Sequence, residues 1–111
     1  MCVFCRIAAH ELPSNILFEE PDVVAFADLH PAAPTHILVI PRRHLGSLDE
    51  AEAAGADLLG KILLAAARAA REAKLASGWR VVINTGPHGG QSVDHLHAHV
   101  LGGRQMAWPP G

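Results

Sequence analysis

The stretch His95-Leu-His-Ala-His-Val100 places an imidazole at every second position of one apolar segment, close to the C-terminal end of the chain. Side chains alternate between the two faces of an extended strand, so His95, His97 and His99 share one face and Leu96, Ala98 and Val100 take the other. Neighbours on one face lie about 6–7 Å apart along a strand. That separation lets three rings serve one substrate. Neutral imidazole carries one donor and one acceptor and titrates near neutrality, so each ring can act as nucleophile, proton donor or metal ligand. A dry imidazole without partners costs free energy, so three on one face point to chemistry. The residues alone leave open covalent catalysis, a three-His catalytic metal site, and solvated rings on an exposed strand.

Working outward, the triad segment reads as a final strand over about 95–101. Trp79-Arg-Val-Val-Ile-Asn84, Ile16-Leu-Phe-Glu-Glu20, the run 23–29 and His36-Ile-Leu-Val-Ile40 are further β-branched or apolar runs bounded by turn residues. Residues 4–10 read as a short helix stopping before Pro13. Ser47-Leu-Asp-Glu50 has capping-box form and opens an Ala/Leu-rich helix to about Ala76. Leu59, Ile62, Leu63, Ala66 and Ala70 supply its apolar stripe, Gly55 and Gly60 are possible breaks, and Gly78 is the expected stop. Thr85–Gly90 reads as a loop. The order implies an α+β fold: an antiparallel sheet of about five strands with one long helix and a short N-terminal helix.

The bulk properties narrow the function. The 111 residues suit a single domain over 1–111, and 50% hydrophobic against 18% charged residues is a globular balance. A formal charge of −2 and scattered Lys and Arg argue against nucleic acid or an anionic membrane as partner. No apolar run approaches a membrane span. The first residues lack the pattern of a secretory signal, so a reducing cytoplasm is the expected location. Cys2 and Cys5 are the only cysteines, which excludes a disulfide framework. Their CxxC spacing reads as a redox pair, half of a zinc site, or free thiols. Of the 8 histidines, His10, His30 and His88 are expected at the surface, and His36 is a candidate for the triad's hydrogen-bond network.

The segment HLHAHV (95–100) matches the alternating pattern of the histidine-triad (HIT) family. FADLHPAAPTHILVIPRRH (26–44), the run VVINTGPHGGQSVDHLHAHVLGGRQMAWPPG (81–111) and CVFCRI (2–7) resemble its Hint branch, the nucleoside phosphoramidases. The resemblance implies a HIT-like protomer whose sheets join across a homodimer. It implies hydrolysis of purine, chiefly adenosine, nucleoside monophosphate conjugates through a nucleotidyl-histidine. His97 would be the nucleophile, its other nitrogen held by a backbone carbonyl that the sequence does not identify. His99 would contact the phosphate or leaving group, and Ser92 would help protonate the departing amine.

Further roles follow from the same resemblance. Asp28 would hold the ribose, Phe4, Ile7 and Leu29 the base, and Asn84, Gly90, Gln91 and Ser92 the phosphate. The tail would carry Trp108 across to the partner's site; Ala107 departs from the His that many eukaryotic relatives have. Cys2, Cys5, His44 and His95 would hold a structural zinc in a closed Cys2His2 site, with no catalytic metal. Competing expectations are a dinucleoside polyphosphate hydrolase, a nucleotide sensor or scaffold with incidental turnover, and a metal-dependent hydrolase.

Overall fold

The computed structural model describes residues 2–111. Its elements are α1 (Val3–Ala8), β1 (Ile16–Glu19), β2 (Val23–Ala27), β3 (Thr35–Pro41), a 3₁₀ segment (Leu48–Ala53), α2 (Gly55–Glu72), β4 (Trp79–Val82), α3 (Gly86–Gly89) and β5 (Ala98–Gly102). The strands form one antiparallel sheet in the order β1-β2-β3-β5-β4. Among the described residues, no helix is long and apolar enough to cross a membrane.

The sheet is covered on both faces, which is why β2 and β3 read as continuous apolar runs without polar alternation. One face sets Val23, Ala25, Ile37, Val39, Ala98 and Val100 against Ile62, Ala65, Ala66, Ala69 and Ala70 of α2. The opposite face sets Val24, Phe26, Leu38 and Ile40 against Phe4, Ile7 and Ala8 of α1. Alanine dominates the inner face of α2, so the helix backbone lies close to the sheet. Ala66 is fully buried there. Ala66→Leu inserts three carbons into a packed contact and should destabilise by about 1–3 kcal/mol, read as a lower urea midpoint at unchanged m-value.

Several sequence expectations need correction. The regular strand begins at Ala98 and not at His95: the backbone before it bonds elsewhere, with the Leu96 N–H donating to the Leu45 carbonyl at 2.7 Å. The face alternation continues through it, since Leu96 packs with Ala98 and Val100. In the helical region Gly55, at φ +82°, opens α2 one residue after the 3₁₀ segment, and Gly60 lies inside α2. Leu63 leaves the apolar stripe and is 53% exposed. It sits about 100° round the helix from Ile62, at the rim of a face that Ala65 and Ala69 carry the other way.

The stop of α2 is Lys74 and not Gly78. Lys74 takes a left-handed φ of 59°, and the Leu75 N–H returns to the Ala70 carbonyl at 3.0 Å. Gly78, at φ +120°, turns the chain into β4 instead. The loop expected over 85–90 contains the single turn α3. The Ser47 hydroxyl accepts from the Asp49 N–H, and the Glu50 carboxylate accepts from the Gly46 N–H, so the capping pair is displaced by one residue on each side.

Candidate active site and metal centre

β5 joins the two functional regions because it lies between β3 and β4, with His99 opposite Leu38 on one side and Val82 on the other. Before it, the chain is pinned to the loop that follows β3. His95 Nε2 donates to the Pro41 carbonyl at 2.8 Å, and Leu96 N–H bonds Leu45. These contacts bury His95 completely and leave His97 only 4% exposed. The edge of the Phe4 ring packs on both, with centroids 6.0 Å and 5.2 Å away.

His97 Nδ1 is 2.7 Å from the His95 carbonyl oxygen. A carbonyl only accepts, so Nδ1 carries the proton and donates it. Nε2 therefore keeps its lone pair. The rings of His97 and His99 are 4.9 Å apart, closer than the strand spacing alone predicts. The carbonyl that the sequence left unidentified belongs to His95.

A second chain of bonds fixes His99. The Ala32 N–H donates to His36 Nδ1 at 2.9 Å, so that nitrogen is unprotonated. His36 Nε2 must then hold the proton, which it donates to His99 Nδ1 at 2.9 Å. The remaining proton of His99 sits on Nε2. Neutral His99 is thus a hydrogen-bond donor through Nε2, where His97 offers an acceptor. Asp28 Oδ2 lies 3.4 Å from His36 Nε2, while its other oxygen accepts from the His30 N–H at 2.8 Å. Asp28, His36 and His99 are close enough to resemble a metal trio. The Ala32 bond argues against that, because a cation on His36 Nε2 would require the ring to lose both protons.

Burial pushes His99 down to about 4, with the neighbouring His97 and His36 rings adding to the shift and Asp28 opposing it. Burial likewise lowers His36, again against Asp28. Both rings are therefore neutral at pH 7. In the unfolded chain an imidazole titrates near 6.5, so between about 6.5 and 4 the unfolded state binds the extra proton. The resulting stabilisation is complete above about pH 6.5 and is lost as pH falls towards 4. Denaturant midpoints across that range should drop more steeply for the parent than for His99→Asn.

Cys2, Cys5, His44 and His95 converge at the start of α1. Cys2 Sγ is 3.3 Å from His95 Nδ1, Cys5 Sγ is 3.3 Å from His44 Nδ1 and 3.4 Å from His95 Nδ1, and the two Nδ1 atoms are 3.2 Å apart. A tetrahedron with metal–sulfur bonds of about 2.3 Å and metal–nitrogen bonds of about 2.0 Å has edges of roughly 3.3–3.8 Å. The four donor atoms fit it. The Pro41 carbonyl completes the arrangement: by accepting a hydrogen bond from the His95 Nε2–H it directs the Nδ1 lone pair at the cluster, as partners of metal-bound histidines do. Burial and the adjacent Cys2 push the Cys5 thiol up, a cost that a cation held by both sulfurs reverses.

The other sequence candidates are placed less uniformly. Phe4 and Ile7 are buried on α1, Phe4 against the imidazoles of His95 and His97, whereas Leu29 is 84% exposed. Asn84 is half-buried at the end of the β4 segment, and Ser92 is exposed. Gln91 is not free to meet a ligand with its amide. Its Nε2 donates to the Gly46 and Val93 carbonyls and its Oε1 accepts from the Gly86 N–H. The Gly90 and Gln91 N–H groups bond the Pro87 and Gly86 carbonyls, so these two amides close a turn instead of lying open to an anion. In the tail, Arg80 donates to the Ala107 carbonyl at 2.8 Å, and Trp108 is 82% exposed. His10, His30 and His88 are exposed as expected. Sequence reasoning missed the fixed role of Ala32 and the bracing role of Gln91. The clue to the first was the Pro31-Ala-Ala-Pro34 loop, stiff enough to aim one N–H.

Known proteins share this fold and much of this sequence. A family model described as the HIT domain matches residues 9–106. Adenylylsulfatase HINT1 of Arabidopsis thaliana is 49% identical over 111 residues, covering 98% of this chain and 76% of that protein. A 14 kDa zinc-binding protein of Zea mays is also 49% identical over 111 residues, covering 98% of this chain and 87% of its own. The crystal structure of a HIT family hydrolase from Legionella pneumophila superposes with a TM-score of 0.96 at 44% identity, over 100% of both chains. The shared sheet, the alternating imidazoles and these matches along nearly the whole sequence establish that the chain belongs to the HIT domain family.

Proposed function

We propose that this protein is a nucleoside 5′-monophosphoramidase, cleaving purine nucleotidyl conjugates at the α-phosphorus through a covalent intermediate on His97. One observation carries the reading: His97 donates from Nδ1 to the His95 carbonyl, which frees Nε2 as nucleophile. Nε2 attacks the α-phosphorus, the bond from phosphorus to the leaving nitrogen breaks, and the amine leaves after taking a proton, with the Ser92 hydroxyl in the role of donor. Water then attacks phosphorus and gives up a proton that restores the Ser92 hydroxyl, the phosphorus–Nε2 bond breaks, and nucleoside monophosphate is released. While the adduct exists the ring is cationic, and the Nδ1–H bond to the His95 carbonyl stabilises it. His99 donates from Nε2 to the phosphoryl oxygen or leaving group. Splitting one difficult displacement into two is the advantage of covalent catalysis.

In this reading Asp28 accepts from the ribose hydroxyls, Phe4, Ile7 and Leu29 form the base slot, and Asn84 with Ser92 approaches the phosphate, Gly90 and Gln91 shaping the turn that carries Ser92. The protein works as a single HIT domain over 1–111, as a homodimer whose partner receives Trp108, in the cytoplasm. Cys2, Cys5, His44 and His95 hold a zinc ion, which braces the start of the triad segment when bound. The Arabidopsis relative is named an adenylylsulfatase, and that name favours a second substrate reading in which sulfate is the leaving group. Mass spectrometry of enzyme quenched during turnover of adenosine phosphoramidate tests the reaction. An adenylyl adduct mapped to His97 supports it; an adduct elsewhere, or turnover without one, overturns it. Adenylyl sulfate in parallel decides between the leaving groups.

A further inference from the structure

We propose that Arg104, seated by Gly103, is a positioning residue that sets the tautomer of His99 through Ala32 and His36. The inference rests on the reading above only in assigning His99 its donor role; the tautomer itself is a property of the free protein.

Three hydrogen bonds form an unbroken line, with one carboxylate beside it. Arg104 Nη2 donates to the Ala32 carbonyl at 3.2 Å, the Ala32 N–H donates to His36 Nδ1, His36 Nε2 donates to His99 Nδ1, and Asp28 Oδ2 flanks the central ring. Ala32 is thus held at both its carbonyl and its N–H, and its N–H decides which nitrogen of His36 carries the proton. Pro31, Ala32 and Pro34 are exposed and within the loop only Ala33 is buried, so packing alone holds the stiff loop weakly. The loop is docked by the turn after β5 instead. Gly103 has φ +92°, and a Cβ built there would lie 2.8 Å from the Pro34 side chain. Only a glycine lets the loop approach this closely. Arg104 then reaches back over it, its other amino nitrogen donating to the Gln105 carbonyl at 3.2 Å. The guanidinium, with donors in a fixed fork, suits two carbonyls at once.

Freed from this hold, the loop would swing the Ala32 N–H away from His36. His36 could then carry its proton on Nδ1 and turn an acceptor towards His99, which would move its own proton to Nδ1 and present a lone pair to the phosphoryl group. A donor would become an acceptor.

The test uses the full chain, metal-loaded and free of substrate, with imidazole ¹⁵N shifts reporting each tautomer. The parent should show His36 and His99 protonated at Nε2. Arg104→Ala should populate the Nδ1–H form of His99 and lower kcat for adenosine phosphoramidate by about tenfold, with KM within about twofold, as expected for loss of a charge-assisted contact felt in the transition state. Arg104→Lys, with one donor in place of the fork, should recover part of both signals. Gly103→Ala, which pushes directly on Pro34, should reproduce the tautomer change. Parent-like ¹⁵N shifts in Arg104→Ala overturn the inference whatever the kinetics. A tautomer change at unaltered turnover upholds it and removes the donor role of His99 instead.

Discussion

His97→Ala is expected to lose at least roughly a thousandfold in turnover of adenosine phosphoramidate while retaining nucleotide binding, because no other group in the site can form the covalent intermediate. The neighbouring rings cannot substitute. His99 keeps its Nδ1 lone pair bonded to His36, and His95 directs its Nδ1 into the cysteine cluster. His97→Ala should therefore bind adenosine monophosphate, measured calorimetrically, within a few-fold of the parent, and give no adduct on quenching. Turnover near the parental rate would mean that water attacks directly and that the triad only orients the substrate.

Metal removal is expected to have the largest effect on stability. Purified protein should carry about one zinc per chain, and Cys5→Ser should carry little. At metal concentrations a thousandfold above the dissociation constant, binding contributes about 4 kcal/mol to the folded state. For a domain of this size each kilocalorie corresponds to roughly 4 °C, so chelation should lower Tm by about 15 °C. The chain order explains the reach of the effect. The cluster ties α1 to the loop after β3 and to the residue whose carbonyl holds the nucleophile. A chelated protein with unchanged Tm and an unchanged calorimetric enthalpy would show that the four donors form an ordinary hydrogen-bonded cluster.

The sheet was legible in the sequence because its strands are short runs between prolines, glycines and charged turns, and all five appear within a few residues of where those signals put them. The helical region was harder. The run Ile62-Leu-Leu-Ala-Ala-Ala67 is apolar at every position, which blurs the difference between the inner face of α2 and the outer one, so Leu63 looked equivalent to Ile62. Lys74 in a left-handed conformation has no sequence signature, and the more obvious Gly78 attracted the boundary. At the site, the alternation of His95, His97 and His99 declared itself, as did the four sulfur and nitrogen donors once the family resemblance was in view. What sequence could not contain was the direction of each proton. That depends on the carbonyls of Pro41 and His95 and the N–H of Ala32, ordinary backbone groups that only the folded chain aims. Gln91 shows the same limit from the other side. Its place in the GGQSV run suggested a ligand contact, yet three backbone partners from separate segments consume its amide.

The two sides of β5 have different occupations but one backbone. Ala98 and Val100 support the long helix, and His99 between them faces the opposite way. A side chain enlarged beneath the helix, at a position that never meets substrate, must therefore displace the peptide plane on which an imidazole is mounted. Directed evolution of this scaffold would be expected to find activity changes at alanines hidden on the reverse of the sheet, and the search should begin there as readily as at the pocket.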